Sequence, residues 1–357
     1  MDVIARRARL TDRLAALDVD AFLVTSLPNV RYLSGFTGSN GALVLRSDDG
    51  VFSTDGRYEE QSAHEVSDLR RDVSNGAMVD AVARACRSLG ARRVAFESTA
   101  VSFATHRELT DSGLSLIPTR DEVERLRRIK DPQEIEAIEA AQAIADEAFD
   151  VFTRKLVEGV TERDAALELD TTMRRLGAEE LSFETIVAFG PNAAEPHHAP
   201  TDRPLASGDV VKADFGSVAR GYHSDMTRTV AYGEPPAVLR EVYEVVRRSQ
   251  QAGVDAVREG ATGDQVDRAA RAVVEAAGHG EAFKHGLGHG VGLEVHEAPS
   301  LRAGAPDVLE AGAVVTIEPG VYLSGVGGVR IEDMVEVTAD GCRVIPRTTK
   351  ELVVLDA

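Results

Sequence analysis

With 357 residues, 43% of them hydrophobic, the chain can build one large domain or two ordinary ones. Lysine and arginine number 40 against 59 aspartates and glutamates, a formal net charge of −19, which argues against nucleic acid and anionic membranes as partners, since both are polyanions. Two cysteines, Cys86 and Cys342, are too few for a disulfide framework, lack zinc-site spacing, and fit a reducing compartment.

The opening MDVIARRARLTDRLAAL mixes basic and apolar residues at helical spacing. It lacks the unbroken apolar core of a signal peptide and reads as an amphipathic first helix. No apolar run approaches the roughly 18 residues of a membrane span, so a cytoplasmic protein is expected. Strand patterns follow at 21–25 (AFLVT), 41–46 (GALVLR), 50–55 (GVFSTD) and 92–97 (RRVAFE), with helical stretches around 57–65 and 78–89. Such alternation argues for an α/β domain. The glycine-rich SGFTGSNGA at 34–42 has no following lysine and reads as a loop between strands rather than a phosphate cradle.

The pattern changes at RRIKDPQEIEAIEAAQ. Asp131, Pro132 and Glu134 match an N-cap, a first helical position and a capping-box residue in order. Ile135, Ile138, Ala141, Ala145 and Phe149 then keep helical spacing. A long helix from about 132 puts a domain boundary just before it, dividing the chain into 1–128 and 129–357. The second part reads as a helix over 161–176, strands around 183–190, 208–215 and 222–231, helices over 235–257 and 262–277, and strand-like segments to the end. Strands grouped with helical pairs between them suggest an α+β domain.

Two hairpins in that domain carry facing acids. In DFGSVARGYHSD, folding symmetrically about Ala219 and Arg220 sets Asp214 directly opposite Asp225. In TIEPGVYLSGVGGVRIED, pairing about Gly325 sets Glu318 opposite Glu332. Like charges at facing positions destabilise a sheet, unless divalent cations between them turn repulsion into attraction. In HGLGHGVGLEVH, glycines alternate with His285 and His289, so at strand period one face carries two imidazoles and the other is bare. Bare glycine in a strand marks close approach of another backbone or a ligand. His296 falls on the opposite face by simple alternation and needs a bend to join them. In PNAAEPHHAP, His197 and His198 are adjacent, so at most one is expected to reach a common site. Four carboxylates with one or two imidazoles make a hard, oxygen-rich set suited to Mn²⁺, Co²⁺ or Zn²⁺, and bridging carboxylates imply two ions.

These segments, DFG…GYHSDMTRT, HGLGHGVGLEVHE, TIEPGVY and GVRIED, resemble the pita-bread metallopeptidase family in order and spacing, above all its proline-specific branch. That branch comprises the Xaa-Pro dipeptidases (prolidases) and Xaa-Pro aminopeptidases (aminopeptidase P). NVRYLSGFTGSNGALVL resembles the creatinase-like N-terminal domain its members carry. The resemblance implies an α+β architecture, a pita-bread catalytic domain preceded by a smaller α/β domain. It makes Asp214, Asp225, His289, Glu318 and Glu332 the metal ligands, with Asp225 and Glu332 bridging two divalent ions, Mn²⁺ foremost. It also implies Glu318 as general base, His296, His197 and His285 on the substrate side, and Arg330 steadying the ligands. The expected reaction is metal-dependent hydrolysis of the bond between an N-terminal residue and a following proline, by a homodimer acting on Xaa-Pro dipeptides or longer peptides. Prolidases of this kind hold the proline carboxylate with an arginine four residues beyond the second conserved histidine. Ser300 stands there, with Arg302 two residues on and Arg31 or Arg46 as other candidates. That departure tilts the expectation towards aminopeptidase P-like activity, with a strict Xaa-Pro dipeptidase as the alternative. A methionine aminopeptidase and a non-catalytic interaction protein are the remaining rivals.

Overall fold

The computed structural model describes residues 2–14 and 17–357. The first helix runs Val3–Leu14; Met1, Ala15 and Ala16, which the amphipathic reading also covered, lie outside the described residues. The chain forms two compact units, Met1–Arg127 and Arg128–Ala357. Among the described residues no helix is long and apolar enough to cross a membrane.

The first unit is a six-stranded mixed sheet in the order Arg70–Val73, Gly50–Thr54, Gly41–Leu45, Ala21–Val24, Arg93–Glu97, Ser115–Thr119. Its central strand runs parallel to Arg93–Glu97 and antiparallel to Gly41–Leu45. Val82, Ala85 and Cys86 of helix Met78–Ser88 pack on Leu23, Val44 and Val94 in one buried cluster. The glycine-rich loop begins where helix Leu27–Ser34 ends, at Gly35 with φ 78°, so it joins a helix to a strand rather than two strands. Ser26 and Pro28 are a cap and first-turn pair that could have announced that short helix.

In the second unit, helix Pro132–Lys155 opens with a complete capping box: Asp131 accepts from the Glu134 amide, and the Glu134 side chain accepts from the Asp131 amide. This helix and Glu162–Arg175 lay Phe149, Phe152, Leu169 and Met173 on Val187, Val211, Phe215 and Val230 of a four-stranded sheet. A second helix pair, Ala237–Ala256 and Gly263–Ala276, lays Val242, Val246, Val266 and Ala270 on Val315, Ile317 and Val335 of a five-stranded sheet. Each sheet thus has one face covered by helices. The opposite faces carry the polar residues of interest. On Asp209–Phe215, Val211, Ala213 and Phe215 enter the helix-facing core, so by alternation Lys212 and Asp214 point the other way. The two halves are joined by a buried ion pair, Arg228 Nη2 to Asp333 Oδ1 at 2.7 Å.

Candidate metal centre

The five expected ligands arrive from both halves. Asp214 is the last residue but one of strand Asp209–Phe215, Asp225 immediately precedes Met226–Tyr232, and His289 is the middle of the short strand Gly288–Gly290. Glu318 follows Val314–Ile317, and Glu332 precedes Asp333–Thr338. All five line one cavity of about 550 Å³, together with His197, His285, His296 and Arg330.

The first hairpin departs from the expected register. Asp214 pairs with Thr227, not Asp225, and the turn is Arg220–Gly221, with φ 53° and 77°. Two successive residues with positive φ make a tight two-residue turn whose twist matches the strands, and Gly221 fills one of them at no steric cost. Asp225 therefore lies diagonal to Asp214 on the same face. The second hairpin keeps the expected register: Ile317 pairs with Asp333 and Gly320 with Arg330. Between these pairs the ladder opens. The Glu318 amide donates to Leu287 O at 2.9 Å and the Glu332 amide to Thr227 O at 3.1 Å.

The glycines around His289 act as the alternation suggests. A Cβ on Gly288 would lie 2.0 Å from Thr316 O, and one on Gly290 would lie 2.4 Å from Ala298 O. Both neighbouring backbones thus press against this strand and fix His289 between them. Its Nδ1 faces Gly290 O at 3.0 Å. A carbonyl only accepts, so the proton sits on Nδ1 and the Nε2 lone pair points into the cluster. Nε2 lies 3.5 Å from both Asp225 Oδ2 and Glu318 Oε1. One donor atom from each of Asp225, His289 and Glu332 lies within 4.8 Å of the others.

The cluster is a ring of electron-pair donors facing one another. Asp214 Oδ1 is buried without a hydrogen-bond partner among the described residues, and a cation would satisfy it. Burial, then the charges of Glu332 and Asp214, raises the pKa of Asp225 well above the carboxylate range. Burial with Glu318 and Asp214 does the same to Glu332. Glu318 is pushed up to about 8 by burial, against the opposing pull of Arg330. Burial, reinforced by neighbouring His296, takes His289 down to about 4. Without a cation, neutral imidazole and protonated acids are favoured; a divalent ion replaces those protons. The donor set fits such ions.

Residues 136–339 match the pattern of metallopeptidase family M24, and residues 6–129 match the creatinase/prolidase N-terminal domain. The chain belongs to metallopeptidase family M24. Its fold is accordingly a creatinase-like N-terminal domain followed by a pita-bread domain. A Xaa-Pro dipeptidase from Bacillus anthracis superposes with a TM-score of 0.96 at 37% identity, over 99% of this chain and all of that one. A Xaa-Pro dipeptidase of Pyrococcus horikoshii is 34% identical over 356 residues, 99% of this chain and 100% of its own. An X-Pro aminopeptidase from Thermotoga maritima superposes with a TM-score of 0.90 at 34% identity, over 96% and 100% of the two chains.

In this M24 enzyme the remaining histidines occupy distinct settings. The His296 ring stands edge-on to His289, centroids 4.3 Å apart; the required bend is a register shift between His289 and Gly290. His197 is exposed on a loop. His198 borders the cavity, but both its nitrogens are held, by Glu162 Oε2 at 2.8 Å and Glu195 Oε2 at 2.7 Å. His285 Nε2 meets the Tyr322 hydroxyl at 2.9 Å and its Nδ1 meets Gly286 O at 2.8 Å. Arg330 can only donate to that hydroxyl, at 2.9 Å, and with the His285 proton on Nδ1 the Tyr322 O–H donates its hydrogen bond to His285 Nε2. His285 is thereby a neutral Nδ1–H tautomer, in keeping with a pKa taken down to about 4 by burial and then by Arg330. Arg330 also bonds Asp214 Oδ2, and its Nε donates to Thr227 Oγ1, which donates to Glu332 Oε2 at 2.7 Å. The guanidinium therefore orients two of the expected ligands, Asp214 directly and Glu332 through Thr227.

Sequence reasoning missed Tyr322, Lys212 and Glu162. Lys212 is fully buried, and a lone lysine inside the apolar run DVVKADF was a readable signal. Glu162 had none: an acid in a helix's first turn looks like a dipole partner, yet its side chain is completely buried.

Proposed function

We propose that this M24 enzyme is a metal-dependent Xaa-Pro peptidase of the dipeptidase kind. The relatives named above support the dipeptidase alternative better than the aminopeptidase P-like reading towards which Ser300 tilted the sequence. Arg302 supplies a physical reason. It is exposed at the cavity wall, and its guanidinium has no hydrogen bond or ion pair among the described residues. A free guanidinium there suits a dipeptide's terminal carboxylate, which it can hold through two parallel hydrogen bonds.

The observation that carries the reading is the buried ring of electron-pair donors around His289 Nε2. In this reading Asp214, Asp225, His289, Glu318 and Glu332 would together hold two divalent cations. Mn²⁺ is the first candidate ion, and the enzyme is taken to be a cytoplasmic homodimer. Bound cations would polarise the scissile carbonyl and make an attacking water acidic near neutral pH. Glu318 would take that water's proton as general base. His296 would donate to the oxygen on which charge develops. His197 would hold the substrate and help the leaving nitrogen acquire its proton. His285, with both nitrogens engaged, would keep Tyr322 and through it Arg330 in place. Proline's amide nitrogen carries no hydrogen, and the apolar Phe183 and Ile186 on the cavity wall demand none.

The test compares Ala-Pro, Ala-Pro amide and Ala-Pro-Gly as substrates of the metal-loaded protein. The expected order places Ala-Pro first, and Arg302→Ala should abolish its advantage over the amide. Preference for the tripeptide, unaffected by Arg302→Ala, would return the assignment to an aminopeptidase.

A further inference from the structure

The loop that carries His197 is pinned from beneath by two buried charges of opposite sign. Lys212 Nζ donates to Ala193 O and Pro196 O, each at 3.3 Å, and to Glu195 O. It forms no ion pair among the described residues. Arg330 Nη1 adds a second bond to Pro196 O at 3.2 Å. From the other side the Glu162 carboxylate accepts from the Phe189 amide at 2.8 Å, Asn192 Nδ2 at 3.0 Å, the Thr201 amide at 2.9 Å and Thr201 Oγ1 at 2.6 Å, besides meeting His198. Pro196 and His198 are therefore both anchored, and His197 is the exposed side chain between them. Burying a charge costs several kcal/mol unless hydrogen bonds compensate. Here the compensation comes from one short loop in each case.

We propose that Lys212 and Glu162 are positioning residues that hold the 190–201 loop so that His197 meets the substrate in one fixed orientation. The inference rests on the Xaa-Pro peptidase reading, because His197 is taken there to touch substrate. Neither residue contacts the reacting atoms. Lys212 acts through the backbone just before the histidine, and Glu162 through the His198 ring and the two ends of the loop at Phe189 and Thr201. A side chain displaced by about 1 Å from its productive place can cost about a hundredfold in rate, which gives such anchors a purpose beyond stability.

The test is a double-mutant cycle on the metal-loaded full chain with Ala-Pro, combining Lys212→Met with His197→Ala. Residues acting as a unit are non-additive. Lys212→Met is expected to lower kcat/KM about tenfold alone but less than about twofold once His197 is alanine. Its loss should fall on the same parameter, kcat or KM, as that of His197→Ala, with metal content unchanged. Multiplicative losses, or a loss in the other parameter, would overturn the proposal. Should Lys212→Met fail to fold, Glu162→Gln carries the same cycle. In the unmutated enzyme the Glu195 and Thr201 amides should exchange hydrogen as slowly as strand Asp209–Phe215, and exchange at open-loop rates would also overturn it. A wild-type enzyme that leaves Ala-Pro intact with metal added refutes the Xaa-Pro reading itself; hydrolysis with multiplicative losses refutes the tether alone.

Discussion

Replacing Glu318 by glutamine should change the number of protons released when metal binds. In the metal-free protein the Glu318 pKa stands at about 8, so at pH 7 the side chain is protonated about nine-tenths of the time. A cation must displace that proton to gain the carboxylate. His289, pulled down to about 4, is already neutral and contributes none. Wild-type protein should therefore release about one proton more than Glu318→Gln at pH 7. Calorimetric titration of Mn²⁺ at pH 7 in two buffers of unlike ionisation enthalpy measures the count. Equal release by the two proteins, or none by either, would refute the picture of acids held protonated by burial and mutual repulsion.

The same shift sets a slope of stability with pH. Folded metal-free protein keeps the Glu318 proton that the unfolded chain loses above its ordinary 4.5. Glu318 thus contributes a fall in stability of up to about 1.4 kcal/mol per pH unit between roughly 4.5 and 8; the difference between urea melts of wild type and Glu318→Gln across that window isolates it, and saturating metal should flatten the wild-type contribution. Gly288→Ala would drive a Cβ to 2.0 Å from Thr316 O; it should cost on the order of 3 kcal/mol in urea unfolding and weaken metal binding by shifting His289. Arg228→Met removes one partner of the buried Arg228–Asp333 pair. It should destabilise the fold by about 3 kcal/mol, an effect read from the denaturation midpoint.

Much of the second unit was legible because its signals were local. Asp131, Pro132 and Glu134 marked a helix start at Pro132 that the structure reproduces. The glycine tip about Gly325 set the register of the second hairpin. The first hairpin slipped by two residues, because centring the turn on Ala219 and Arg220 ignored Gly221, the residue best suited to positive φ. A two-residue slip preserves the face, so Asp214 and Asp225 still converge. The reading of the first unit was poorer. Helix Phe103–Asp111 and strands Arg70–Val73 and Ser115–Thr119 went unread. These two strands are largely exposed or half-buried, so their burial leaves no clean alternation. Glu162 acts through partners 27 to 39 residues away, which no local pattern encodes, whereas the lone Lys212 in DVVKADF was a signal left unread.

The most direct test strips the protein with a chelator, then restores Mn²⁺ in steps while Ala-Pro hydrolysis and bound metal are followed together. Activity should vanish on stripping and return as about two ions bind per chain, with Asp225→Asn failing to recover. Undiminished hydrolysis by the stripped protein, or full recovery by Asp225→Asn, would contradict the assignment of catalysis to this cluster.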